Sequence, residues 1–320
     1  MDDSYDVVVI GGGAAGLSGA VALARSRRTV LVVDAGKPRN APAAGVHNYL
    51  GREGARPADL LADGRAELAG YGGHVASAVV TAARREDDGS FRVTLGSGQE
   101  VSARRLLVAT GLVDELPELP GLAERWGRDV LHCPYCHGWE VRDQAIGILA
   151  TGPTAVHQAL LFRQLSADVT FFRHTGPELP SEEADQLSAL GIPIVKGQVA
   201  GVEVTEDRLT GVRLVSGEVV PRAAVVVAPR FTARADVLAG LGLAAADQEM
   251  RGAVVGSAVP ADPTGATEVP GVWVAGNVSD LSAQVVVSAA AGMRAGAMIN
   301  ADLVTEDARR AVAERRSAAA

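Results

Sequence analysis

The 320-residue sequence predicts an α/β chain of two doubly wound, parallel-sheet units, the first interrupted in sequence by the second. Three observations predict it. Residues 5–34 read strand, glycine turn, helix, strand; residues 145–174 repeat that plan; and the runs at 29–34 and 106–111 are apolar throughout, as strands covered on both faces must be. A composition of 48% hydrophobic and 21% charged residues suits sizeable cores and excludes a disordered or collagen-like chain.

The elements follow in order. YDVVVI at 5–10 is broken by Gly11-Gly12-Gly13-Ala14-Ala15-Gly16, a helix is predicted over about 17–26, and a second apolar run closes on Asp34. Residues 75–82, 91–95 and the turn-containing stretch after them predict a small antiparallel meander, before LLVAT at 106–110 ends at Gly111. The Pro-rich LPELPGL at 116–122 marks a boundary. The opening plan then repeats, turn-rich strands run to about 228, and VPGVWVAGN (269–277) leads into a long helix of small residues at about 283–302. The last fifteen residues read as a solvated helical tail. The expected division is 1–117 and 241–305 for the first unit, 118–240 for the second, and 306–320 for the tail.

The formal charge is −8, and all but Lys37 and Lys196 of the 30 basic residues are arginines, scattered rather than striped, so nucleic acid is not an expected partner. The N-terminus carries no basic segment or cleavage pattern, and no apolar run nears the ~18 residues of a membrane span. A soluble, cytoplasmic protein without a membrane partner is the expectation.

Gly11-x-Gly13-x-x-Gly16 sits after a strand, opens a helix, and has an acid, Asp34, 23 residues after Gly11. Gly11 allows the tight turn, Gly13 lets backbone approach a pyrophosphate, Gly16 allows close helix–strand packing, and the helix N-terminus with Ala14 and Ala15 supplies N–H donors. Asp34 is placed for adenosine ribose hydroxyls, and a structural glycine turn is the competing reading. Asn277 follows Gly276 at a strand's carboxyl end, where an open α/β sheet places its ligand. It is placed to reach a ribityl hydroxyl, and the helix starting near Ala283-Gln284 to aim its dipole at a flavin edge, with Gln284 and Val285 as contacts there. A turn-forming Asn is the plain alternative.

The chain has two cysteines, in His132-Cys133-Pro134-Tyr135-Cys136-His137. Cys-x-x-Cys-His matches a haem attachment pattern, but that requires export. A zinc site would need four ligands from an awkward run of two thiolates and two histidines. A reversible dithiol/disulfide suits the spacing best, with two inert buried thiols as the plain alternative.

Over about residues 4–305 the chain resembles the low-molecular-weight thioredoxin reductases. The resemblance rests on the first glycine motif, Ala109-Thr110-Gly111, the cysteine pair before the second unit, and VWVAGN followed by AQVVVSAAAG. It implies two Rossmann-like domains, a nicotinamide-type one inserted into a discontinuous FAD domain, in a homodimeric flavoprotein. It further implies that Cys136 faces flavin C4a while Cys133 exchanges with substrate. Ala35, Arg39 and Asn40 would lie in the loop over the FAD pyrophosphate and ribose, a solvated turn at 37–40 being the competing reading, with Asn48, Val79, Ala109, Thr110 and Gly111 as further FAD contacts. Asn277 stands where that family usually has Asp, keeping a hydrogen bond without the charge. No metal is expected.

Two departures redirect the expectation. The family has Asp after the second cysteine, whereas this chain has His137, and CPYCHGWE looks like the dithiol oxidases that close disulfides in natural products such as holomycin, gliotoxin and romidepsin. The nicotinamide turn is also weakened: Ala150 replaces its first glycine, Pro153 removes an N–H, and Phe172-Arg173-His174 lacks a run of arginines to hold a 2′-phosphate. Electrons are therefore expected to pass from a small-molecule dithiol through Cys133 and Cys136 to FAD and on to O2, giving hydrogen peroxide. His137 is the first choice of base and His132 the second. An NADPH-dependent thioredoxin or small-disulfide reductase, and a flavin-bound redox sensor, are the alternatives. Trp126 and Trp139 are read equally as packing residues and substrate platforms; His74, His157 and His174 are read as structural or surface histidines.

Overall fold

A computed structural model describes residues 3–319. Its first unit opens with β1 (Ser4–Ile10), α1 (Ala14–Arg25) and β2 (Val30–Asp34), followed by α2 (Pro57–Gly70), β3 (His74–Ser77), β4 (Val80–Arg85), β5 (Phe91–Leu95) and β6 (Glu100–Val108). The sheet runs β3-β2-β1-β6-β5-β4, with parallel pairs from β3 to β6 and antiparallel pairs beyond. Its central strands are apolar through Val7–Ile10, Val30–Val33 and Leu106–Val108 because both faces are covered there. Val8, Ile10, Leu31 and Val33 face one core cluster, and Val7, Val9, Val30 and Val32 face the other.

The 75–82 segment corrects the meander expected there. His74–Ser77 pairs in parallel with β2 at the sheet edge, and only Val80 onward turns antiparallel to β5. Between them Ala78 N–H donates to Asp34 C=O at 3.0 Å, which keeps the chain on the parallel edge past Ser77.

After β6 the chain leaves through β7 (Leu112–Glu115) and builds a second, all-parallel sheet. Its strands are β8 (Val130–Leu131), β9 (Ile146–Leu149), β10 (Val169–Phe172), β11 (Ile194–Val195) and, after a hairpin layer of β12 (Val199–Thr205), β13 (Arg208–Leu214) and β14 (Val219–Pro221), β15 (Ala224–Val227). The order is β11-β10-β9-β15-β8. Helices α3 (Pro134–His137), α4 (Ala155–Arg163) and α5 (Ser181–Ala189) belong to this unit.

The chain returns through β16 (Arg230–Ala233), which pairs antiparallel with β7, so the outgoing and incoming crossovers lie side by side. β17 (Ala246–Met250) and β18 (Ala253–Ala258) extend that sheet, and β19 (Val272–Val274) rejoins β6. Ala233, Leu238 and Leu243 are buried in the first unit's core. The stretch from 230 to 240, expected in the second unit, thus packs with the first: its apolar side chains find their cover beneath β4 and β5.

The last helix, α6 (Val285–Ala318), is a single helix of 34 residues. Its small residues let it lie against α1 backbone to backbone. A Cβ on Gly292 would stand 1.9 Å from the Ala15 carbonyl oxygen, and one on Gly296 would stand 2.6 Å from that of Gly19. The boundary expected at 306 lies inside this helix. Glu306 and Asp307, in the segment read as a solvated tail, meet Arg28, Arg104 and Arg105, and Asp302 just before them joins the same ion-pair network, which ties the helix to the sheet. Among the described residues no helix is long and apolar enough to cross a membrane.

Candidate functional site

One cavity of about 1930 Å³ joins the first glycine turn, the cysteine pair and the second unit's turn. That is roughly twice the ~1,000 Å³ upper end of ordinary small-molecule pockets, and it suits a dinucleotide plus a second reactant.

The first turn fits a pyrophosphate. Gly11 has φ +107°, and a Cβ there would stand 2.4 Å from the Ala109 carbonyl oxygen. Gly13 has nothing within 4 Å of a Cβ position, so its backbone borders open space. It caps α1 without any side-chain cap, leaving first-turn N–H groups at Ala14 and Ala15 without intrahelical partners. Gly16 does not line the cavity; its Cβ would stand 1.8 Å from the Gly11 carbonyl oxygen, so it serves helix–strand contact. Asp34 accepts the Gly12 N–H at 3.2 Å through one carboxylate oxygen and lines the cavity with Ala35. Asn40, Val79, Ala109, Thr110, Gly111 and Gly276 also line it. So do Gln284 and Val285, where α6 begins without a side-chain cap. These residues fit FAD.

Arg39 and Asn277 line the same cavity but are engaged with protein. Arg39 holds Asp114 through two bonds of 2.8 and 2.6 Å, donates to Asn277 Oδ1 at 3.1 Å, and lies over the Phe231 ring at 5.2 Å. Asn277 Nδ2 donates to the Asp280 and Ala283 carbonyls, each at 2.9 Å. Only acceptor capacity on Oδ1 is left for a ligand hydroxyl. Arg39 clamps the loop after β2 onto a crossover strand and the strand end at Gly276.

Cys133 and Cys136 are joined as a disulfide, with Cα atoms 5.3 Å apart. Cys133 caps the single turn of α3, and Pro134 at the first helical position needs no N–H partner. The Cys136 N–H donates to Cys133 Sγ at 3.2 Å. Both cysteines and both neighbouring histidines line the cavity.

The histidines differ. His132 Nδ1 lies 3.2 Å from the Val227 carbonyl oxygen and 3.1 Å from Gln158 Nε2, with its ring edge-on to Phe231 at 5.1 Å. Burial pushes its pKa down, opposed first by the hydrogen bond to the Val227 carbonyl; the Arg39 charge adds to the lowering and Asp114 offsets it slightly. His137 Nε2 is enclosed and has no hydrogen-bond partner. Burial likewise lowers its pKa, opposed by Glu140 and reinforced by His47. Both imidazoles are therefore neutral at pH 7 and able to take a proton from a thiol.

Asn48 departs from the expectation of a cofactor contact. It does not line the cavity; its Nδ2 donates to the Tyr135 carbonyl at 2.6 Å, inside the cysteine loop. His47 lines the cavity instead, between Glu53 at 2.5 Å and Glu140 at 3.5 Å. Trp126 also lines it, whereas Trp139 lies outside under the Arg142 guanidinium, 4.1 Å from its ring centre. Of the histidines read as structural, His174 accepts the Val199 N–H at 3.0 Å, His74 lies beside the Tyr5 hydroxyl at 3.4 Å, and His157 borders the cavity.

At the second turn, Thr151, Gly152, Pro153 and Thr154 border the cavity, and Thr154 caps α4 without a side-chain bond. Arg173, the one arginine just after β10, pairs with Glu178 at 3.0 Å.

Asp114, Phe231 and Gln158 had no sequence signal.

The model of the pyridine nucleotide-disulphide oxidoreductase family matches residues 5–294. The chain is 35% identical over 185 residues to thioredoxin reductase tcpT of Claviceps purpurea, a match covering 55% of this chain and 58% of tcpT. It thus spans little more than half the length of that relative. It is 31% identical over 312 residues to thioredoxin reductase sirT of Leptosphaeria maculans, covering 92% of this chain and 93% of sirT. The crystal structure of HlmI superposes with a TM-score of 0.92 at 46% identity, covering 100% of this chain and 99% of that one. Solved thioredoxin reductases share the fold, as one from Streptococcus pyogenes does at a TM-score of 0.82. The α/β architecture, the glycine cradle and the disulfide agree with these likenesses: the chain belongs to the pyridine nucleotide-disulphide oxidoreductase family, and it is an oxidoreductase with FAD as its cofactor.

Proposed function

We propose that this oxidoreductase is a dithiol oxidase that closes a disulfide in a small-molecule dithiol and returns the electrons to O2 as hydrogen peroxide. The observation that carries the reading is His137: a neutral imidazole with an unpartnered Nε2 directly follows Cys136 and shares one cavity with the disulfide. A carboxylate there would be too weak a base for a thiol near pH 7. The second turn supports the same direction, because Pro153 offers no N–H and Arg173 is occupied by Glu178. The names of the relatives, which include thioredoxin reductases and HlmI, fit thiol–disulfide chemistry of this kind.

In the proposed sequence a substrate thiol loses its proton to His137, or to His132, and the thiolate attacks Cys133 Sγ. A substrate–Cys133 bond forms as the Cys133–Cys136 bond breaks, leaving Cys136 as thiolate. The second substrate thiolate attacks the substrate sulfur of the mixed disulfide, releasing the cyclic or linear disulfide and a Cys133 thiolate. Two electrons and two protons have then moved from substrate to enzyme. Bound FAD supplies the acceptor for that electron pair and its exit to O2. The chain's own residues hold the first turn, the clamp of Arg39 and the two neutral imidazoles in place throughout. The proposal includes a homodimer in the cytoplasm, with residues before 117 and after about 230 forming the FAD unit.

One observation favours a reductase: Gly152 has nothing within 4 Å of a Cβ position, so the second turn keeps open space. Anaerobic reduction decides. A dithiol should bleach the flavin absorbance, and air should restore it with release of peroxide; rapid bleaching by NADPH alone would replace the oxidase with the reductase.

A further inference from the structure

Asn48 has a placement that the proposed chemistry does not use. Its backbone lies in the left-handed region at φ +58°, which Asn tolerates better than most residues with a Cβ. Glu53 braces it there: its carboxylate accepts the Asn48 N–H at 3.0 Å and contacts His47 Nδ1 at 2.5 Å. Gly54 N–H donating to the Val46 carbonyl at 2.9 Å closes the loop around them. From this brace Asn48 Nδ2 donates to the Tyr135 carbonyl at 2.6 Å.

Tyr135 stands between the two cysteines, and its carbonyl shares one planar peptide unit with the Cys136 N–H. That N–H is shared between Cys133 Sγ at 3.2 Å and the Cys133 carbonyl oxygen at 3.3 Å, so any turn of the peptide plane trades one acceptor for the other. The three groups form one line: Asn48 amide, Tyr135–Cys136 peptide, Cys133 sulfur. We propose that Asn48 is a positioning residue that acts through this peptide unit to stabilise the Cys133 thiolate in the reduced enzyme. The inference rests on the reading that Cys133 is the sulfur exchanged with substrate.

The physical argument has two parts. A hydrogen bond to the carbonyl fixes the rotation of the peptide plane, so its N–H keeps pointing at Sγ after the disulfide opens. The same bond polarises the peptide and strengthens what the N–H donates. An N–H aimed at a thiolate is a charge-assisted bond, and the thiolate is the form that attacks a disulfide or departs from one. The Asn48 amide is spent here, 87 positions away in sequence, which is why it does not line the FAD cavity.

The test uses Cys136→Ser holoenzyme, in which Cys133 is the single thiol, and follows alkylation of Cys133 by iodoacetamide against pH by mass spectrometry. Asn48→Gly keeps the left-handed backbone and removes the amide. It should raise the alkylation midpoint by about half to one pH unit, roughly a three- to tenfold loss of thiolate below the midpoint, with FAD retention and the flavin spectrum unchanged. Asn48→Asp, which turns an acceptor toward the Tyr135 carbonyl, should shift it at least as far. An unchanged midpoint in Asn48→Gly would overturn the proposal, as would weaker FAD binding with no midpoint shift, which would make Asn48 a cofactor contact. Failure of the oxidase reading shows separately, as NADPH bleaching of the wild-type flavin with the midpoint shift intact.

Discussion

Gly13→Ala separates cofactor binding from the stability of the fold. Gly13 caps α1 with φ −77° and ψ −174°, an extended conformation that alanine adopts without strain. No atom lies within 4 Å of the added Cβ. For the protein alone, alanine at an N-cap costs about 0.5–1 kcal/mol, and the reduced entropy of the unfolded chain returns about 0.4–1 kcal/mol. The two nearly cancel, so the deflavinated protein should melt within roughly 2 °C of wild type. For FAD the balance is different, because the empty space beside Gly13 is where the pyrophosphate must approach the first-turn N–H groups. Displacing one charge-assisted bond costs about 1.5–3 kcal/mol, or roughly a ten- to hundredfold loss of affinity.

The control is Gly292→Ala. Its Cβ would stand 1.9 Å from the Ala15 carbonyl oxygen, against 3.4 Å for ordinary contact, so α1 and α6 must part by about 1.5 Å. Overpacking of this kind costs about 1–3 kcal/mol and should lower Tm with or without FAD by roughly 2–10 °C. Thermal melts of the deflavinated proteins and titration of each with FAD, read by flavin fluorescence, separate the two effects. Gly13→Ala binding FAD within twofold of wild type would refute the cradle, and so would its apoprotein melting as low as Gly292→Ala.

His137→Gln should remove the acid limb of the thiol-oxidation rate; because burial lowers the pKa of His137, the wild-type limb should fall below the usual histidine value of 6.5, read as kcat/KM against pH. His132 and His137 are both depressed on folding, so the unfolded chain binds more protons as pH falls below 6.5, and stability present above that value is lost as pH drops through the folded pKa values; His132→Gln with His137→Gln should flatten urea-derived stability across that window. Asp307 is held at about 2 by Arg28 and Arg104, so its contribution is full above 3.8 and disappears as pH falls toward 2. Asp307→Asn should cost about 1 kcal/mol at pH 7, less in high salt, and acid titration of the variant by circular dichroism should show a smaller loss across that range.

What was legible in the sequence was local. The first glycine turn, its helix and Asp34 lie within thirty residues, and the two thiols lie within one helical turn, so residue type and spacing carried both. What was illegible depended on distant partners. Arg39 reads as a phosphate clamp until Asp114 appears 75 positions later, on a strand whose identity as a crossover depends on pairing with β16. Asn48 is expected as a cofactor contact from the family resemblance, in a segment beside the flavin and the cysteines, yet its bond is to Tyr135. The acids at 306 and 307 fall in a segment that reads as a solvated tail, and only the fold sets Arg28, Arg104 and Arg105 against them. The return at 230 was hidden for the same reason: Ala233 and Leu238 are ordinary apolar residues, and only three-dimensional packing says which core they fill.

The two histidines beside the disulfide are not interchangeable as bases, and the reason lies in which nitrogen each has committed. The Val227 carbonyl can only accept, so His132 must carry its proton on Nδ1, and its lone pair falls on Nε2. For His137 the enclosed nitrogen is Nε2, with neither donor nor acceptor beside it. An enclosed N–H without an acceptor is the rarer and costlier state than an acceptor without a donor. The physical choice for neutral His137 is therefore a bare Nε2. Nε2 is closed off from the cavity in this ring orientation, so on the proposed chemistry the His137 ring must turn before a substrate thiol S–H can supply the missing donor and give up its proton there. His132, whose backbone carbonyl accepts from Gln158 Nε2 at 3.3 Å, is left to hold the wall formed with Phe231. This assignment makes the order of effects specific: His137→Gln should lower kcat/KM for the dithiol more than His132→Gln does, and the opposite order would move the base to His132.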